Sequence, residues 1–158
     1  MKRTAVGLVV AWCVATGCTP MVARVPFQLA AYGGLVASNS PMHVGRREPR
    51  LIDDRLEILY SVLFENVSAG RIDIALDRTK TKMSGATASC SVNGQPAPTL
   101  LLRRGDRSRV DCRLVLSPEA TAATRRADSD VTLVIPIGTP AGEAEITFYY
   151  WLRVEDAS

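Results

Sequence analysis

The stretch AEITFYYWLRVE, residues 144–155, alternates without a break. Ala144, Ile146, Phe148, Tyr150, Leu152 and Val154 take one set of positions, and Glu145, Thr147, Tyr149, Trp151, Arg153 and Glu155 the other. Period two over twelve residues rich in β-branched and aromatic side chains, with no Gly or Pro, predicts a long strand with one face in a core.

The same period recurs upstream. In residues 55–65, Leu56, Ile58, Tyr60, Val62 and Phe64 share a face opposite Glu57, Ser61 and Glu65, with Leu59 and Leu63 making that second face partly apolar. Residues 71–77 place Ile72, Ile74 and Leu76 against Arg71, Asp73 and Asp77. With a turn at 66–70, these two runs are expected to pair as an antiparallel hairpin. Ala88, Cys90 and Val92 share a face of a third strand ending in the turn pair Asn93-Gly94. Residues 99–102 supply a fourth strand, Val110, Cys112, Leu114 and Leu116 a fifth, and Val131, Leu133, Ile135 and Ile137 a sixth, closed by 138–142. Ser117-Pro118-Glu119 has the form of a helix N-cap with Pro at the first helical position.

Seven short strands with turn residues between them predict an all-β antiparallel sandwich, immunoglobulin-like in the broad sense. An antibody-type domain is excluded, because Cys90 and Cys112 lie too close in sequence and no Trp separates them. The run LFENVS, residues 63–68, resembles the opening hairpin of small bacterial Ig-like sandwich domains.

The N-terminus follows another logic. Lys2 and Arg3 precede an apolar run at 5–14, the length of a signal-peptide core and too short for a bilayer-spanning helix. Small residues then lead into Cys18 through Val14-Ala15-Thr16-Gly17. This resembles the lipobox of bacterial lipoproteins, which implies cleavage after Gly17, acylation of Cys18 and attachment to the envelope membrane. Thr19 follows Cys18 where inner-membrane retention commonly uses Asp, so the resemblance points to the outer membrane. The expected organisation is a signal peptide at 1–17, an irregular Pro-rich tether at 18–54 that contributes at most an extra strand, and the sandwich at 55–158.

That leader also sorts the cysteines. Cys13 leaves with it and Cys18 is acylated, so Cys90 and Cys112 remain to form a disulfide in an oxidising compartment. The net charge of +3 falls to +1 without Lys2 and Arg3, and no nucleic-acid footprint remains.

Catalytic chemistry has little to work with. His43 is the only histidine and sits in the irregular segment. The carboxylate pairs Asp53/Asp54, Asp128/Asp130 and Glu155/Asp156 lie in no motif that fixes their geometry, and no phosphate-binding glycine loop or cofactor motif occurs. Two surface features suggest binding instead. Arg103, Arg104, Arg107, Arg109 and Arg113 crowd one turn and its outgoing strand, with only Asp106 and Asp111 among them, a composition suited to phosphate or carboxylate. Tyr149 and Trp151 share the second face of the last strand, as a platform for sugars or protein, or as a core layer covered by the segment around Phe27 and Tyr32; burial is the expectation. The functional expectation is a non-catalytic, membrane-anchored envelope lipoprotein that engages a protein partner, with cell-wall or surface-glycan binding through Tyr149, Trp151 and the arginines as the alternative.

Overall fold

A computed structural model describes residues 21–39, 45–47 and 49–154. The signal peptide, Cys18, His43 and the pair Glu155/Asp156 lie outside the described residues.

Two antiparallel sheets face each other. The first contains β11 (Thr99–Leu102), β7 (Ile72–Ala75), β13 (Ser129–Thr139), β14 (Gly142–Val154), β1 (Met21–Val25) and β4 (Gly45–Arg47) in that order, with β8 (Lys80–Thr81) added to β13. The second runs β10 (Gln95–Pro96), β9 (Ala86–Val92), β12 (Arg107–Leu116), β6 (Arg55–Asn66), β3 (Leu35–Asn39) and β2 (Leu29–Tyr32), with β5 (Arg50–Ile52) beside β6. All seven strands expected from the alternation are present, and among the described residues seven more join them.

Five of the additional strands come from residues 21–52, the segment expected to be largely irregular. Pro26, Pro49 and the Gly33-Gly34 pair separate short strands instead of preventing them. Leu35 and Ala37 of β3 are fully buried, and the segment adds strands to both sheets.

The core forms where the alternating faces meet. Tyr60, Phe64, Ile72, Ile74, Leu114, Leu133, Ile135, Phe148, Tyr150 and Leu152 are all nearly inaccessible to solvent. Tyr60 of the second sheet meets Tyr150 of the first edge-on at 4.2 Å between ring centroids, and Phe148 at 5.6 Å. Each such aromatic pair contributes about 0.5–1.5 kcal/mol beyond area burial. One end is closed by helix α1 (Pro118–Thr124), which begins at the Ser117 cap, where Oγ accepts from the Ala120 amide. Thr121 Oγ1 of that helix accepts the buried Leu56 amide at 2.9 Å.

The expected hairpin between 55–65 and 71–77 does not form: β6 and β7 belong to different sheets. The reason lies in Asn66, which is fully buried at the end of β6. Its Nδ2 donates to the Gly70 and Leu102 carbonyls at 2.7 and 3.0 Å, and its Oδ1 accepts from the Ser68 amide at 2.9 Å and hydroxyl at 2.7 Å. Its backbone bonds to Gly105 and Asp106, and the next amide, of Val67, bonds to Gly34. These bonds turn the chain out of one sheet and into the other. Gly34 has φ +86°, and a Cβ there would lie 2.3 Å from that of Ser68, so the neighbouring turn requires glycine.

Cys90 and Cys112 form a disulfide between directly opposed residues of β9 and β12, with Cα atoms 4.1 Å apart. The bridge therefore staples two neighbouring strands of one sheet. In the chain-entropy account a loop of that length adds about 3 kcal/mol.

Two measurements check this fold. Asn66→Ala is expected to lower urea-unfolding stability by about 2–4 kcal/mol, and Asn66→Asp by more, since a carboxylate cannot donate to the two carbonyls. Burial pushes the Tyr60 and Tyr150 phenols above their ordinary value of 10.0. The fold therefore favours the neutral phenols: stability is complete below pH 10 and falls above it, as the unfolded chain releases protons that the folded one retains. Urea midpoints between pH 8 and 11 should show that decline, and Tyr150→Phe should flatten it.

Candidate functional site

Side chains opposite the core set the two outer faces. On the first sheet, Tyr149 and Trp151 are 50% and 40% exposed. This corrects the expectation that they are buried. Phe27 and Tyr32, the proposed cover, are themselves 59% and 40% exposed. Their chain crosses to the second sheet after β1 and leaves this face open. The Arg153 guanidinium lies 5.7 Å from the Trp151 ring centroid and pairs with Asp130 at 3.2 Å and Asp128 at 3.8 Å. One of the carboxylate pairs is thus engaged with an arginine. Another, Asp53/Asp54, forms the two-residue turn between β5 and β6, both residues with positive φ.

The arginines occupy the other sheet. Arg103 and Arg104 are exposed in the turn before β12, while Arg107, Arg109 and Arg113 project outward from it. All three strand arginines are ion-paired: Arg107 with Glu65 at 3.4 Å, Arg109 with Asp111 at 2.9 Å, and Arg113 with Glu57 through a 2.8 Å bond from Nε. Glu57 is 6% exposed and Ser61, which donates to Asp111, is 1% exposed, although both lie on the outer side of β6. Ser61, Arg109, Asp111 and Arg113, with Leu59, Ser89 and Ser91, line a shallow depression of about 530 Å³. Pairing offsets much of the positive charge along β12, leaving the turn as the more basic part.

Tyr149 and Trp151 therefore face away from the arginines, on opposite sides of the sandwich. The structure does not bring the two predicted features into one site. Among the described residues, no group of three or more His, Cys, Asp or Glu has the geometry to hold a metal ion.

A third feature lay beyond sequence reasoning. β1 pairs with β14 from Met21↔Val154 to Arg24↔Trp151. Continuing that register would set Pro26 opposite Tyr149, where the ladder needs an N–H that proline lacks. The side chain of Gln28 takes the place instead: its Oε1 accepts the Tyr149 amide and its Nε2 donates to the Tyr149 carbonyl, both at 2.8 Å. Only Pro26 hinted at this in the sequence, by ending β1.

No known protein family's sequence profile matches the chain, and no curated protein matches it. Three solved structures show a distant similarity to it. The GAE domain of yeast GGA1 is 10% identical, with 81% of this chain and 99% of that one covered and a TM-score of 0.41. A FixG-related protein from Vibrio parahaemolyticus is 10% identical, covering 78% and 95%, at 0.48. A protein from Archaeoglobus fulgidus is 12% identical, covering 83% and 100%, at 0.43. At these values the likenesses carry no argument about activity, and the sandwich rests on its own two sheets.

Trp151→Ala and Tyr149→Ala are each expected to cost about 1 kcal/mol or less, and Tyr150→Ala, between them in sequence, about 3–5 kcal/mol. Thermal unfolding of the three variants reads this contrast directly.

Proposed function

We propose that the protein is a non-catalytic, lipid-anchored envelope lipoprotein whose sandwich acts as a protein-interaction or assembly module. The observation that carries the reading is the exposure of Tyr149 and Trp151 on a strand whose neighbouring edge is only partly paired. Large aromatic side chains held on a rigid sheet bind a partner at low entropic cost, which suits recognition better than turnover.

The anchor belongs to the same reading. Cys18 carries a diacylglyceryl group and its amine a further acyl chain, and two or more chains hold a protein stably on a bilayer. β1 begins at Met21, three residues on, and three residues span only about 10 Å. The domain therefore sits close to the membrane, without the long tether expected from the prolines. The thirteen residues of β14 run about 40 Å from the Met21 end to Gly142, so the opposite end projects outward. The glycan alternative loses its composite site, because its aromatic and arginine halves face opposite ways.

Intact-mass analysis of protein from the native envelope tests the anchor. The expected product begins at Cys18, carries acyl chains, and gains about two daltons on reduction as Cys90 and Cys112 open. An unacylated chain cleaved at another position would contradict the anchor. Crosslinking in the same envelope tests the module, since recovery of the chain alone under every condition would contradict it.

A further inference from the structure

From the unfinished edge of β14 we infer that its open half, residues 142–148, receives an extended segment of a partner protein as an added strand, with basic side chains outward and apolar ones inward. This deepens the module reading and rests on it, but not on the anchor.

Backbone parity is fixed twice. Gln28 bonds the amide and carbonyl of Tyr149 on the side away from β13. Independently, Pro136 of β13 stands opposite Glu145, a position that must lie between ladder bonds because proline has no N–H. Residues of the same parity, Glu143, Glu145 and Thr147, therefore turn their N–H and C=O groups toward the open side. Among the described residues no strand pairs with them there: β1 is registered only with residues 151–154 and Gln28 serves only Tyr149. Such a row of unpaired groups is a template for an incoming strand.

The flanking side chains select its chemistry. Cross-strand neighbours share a face, so partner residues opposite Glu143, Glu145 and Thr147 point outward. Both carboxylates are exposed; Glu145 holds Lys80 at 2.8 Å, and that bond keeps its carboxyl below the usual range. Glu143 has no ion pair among the described residues, and Lys or Arg on the partner would supply one. Inward-pointing partner residues would lie beside Ile146 and Phe148, both core members, and close to β2, which approaches β14 and whose Ala30 packs on the core. Apolar side chains fit there. A second copy of this chain fits poorly, because pairing through the same edge would crowd four carboxylates, Glu143 and Glu145 of each copy, onto one face.

Backbone amide shifts of the purified mature chain, titrated with the peptide acetyl-(Val-Lys)4-amide, test the inference. The Glu145 and Thr147 signals should move most, and acetyl-(Val-Glu)4-amide should bind about tenfold more weakly. Thr147→Pro removes an N–H that the β13 ladder does not use, a tolerated edge position, and should abolish binding. The double variant Glu143→Lys/Glu145→Lys tests the charge assignment on a fold untouched at its core, and should reverse the preference between peptides. Absence of shifts at the edge, shifts that map elsewhere, dilution-dependent shifts without peptide, or equal binding of both peptides would each overturn the inference. A partner crosslinked in cells through the Trp151 face, with an unresponsive edge, would overturn it while leaving the module reading intact.

Discussion

The contact on which the structure depends is Tyr60 against Tyr150 and Phe148, across the layer between the sheets. It joins two long strands, β6 and β14, and commits each to one side. With Tyr60, Tyr150 and Phe148 inside, the strict alternation of β14 sends Tyr149, Trp151 and Arg153 to the solvent. A slip of one residue would exchange the whole set. The exposure of the aromatic pair is thus a consequence of core packing.

Much of the fold was legible because period two is a strong signal wherever one face is buried. All seven expected strands are present, although the one read through Asp77 stops at Ala75, where Leu76–Arg78 turn as a short 3-10 helix, and Ser117 caps its helix as its sequence suggests. What escaped has physical causes. Strands of three to five residues, such as β2, β4 and β5, are too short to show a period. The β6–β7 hairpin was a reasonable inference from sequence proximity, but its outcome hung on one side chain, Asn66, whose bonds reach Gly70 and Leu102. A sequence shows that an asparagine follows a strand; it does not show which carbonyls surround it.

The surface was less legible than the core. Five arginines in eleven residues suggested a cationic patch, yet Glu57 and Glu65, distant in sequence, arrive beside them through β6. Strand pairing brings distant charges together, and composition within one window cannot register that. Tyr149 and Trp151 offered a choice between core and platform, decided by whether another segment covers them. Pro26 decides it, by ending β1 and releasing the chain to cross.

That same proline leaves β14 with one complete neighbour and one partial one. β13 pairs with it throughout, β1 pairs with its last residues, a single amide side chain spans Tyr149, and among the described residues no strand pairs with the rest. The most direct measurement is hydrogen exchange of individual β14 amides in the free protein. The account predicts strong protection of Ala144, Ile146 and Phe148, which bond to β13, fast exchange of Glu145 and Thr147, and intermediate protection of Tyr149. Uniform protection along 144–149 would contradict it.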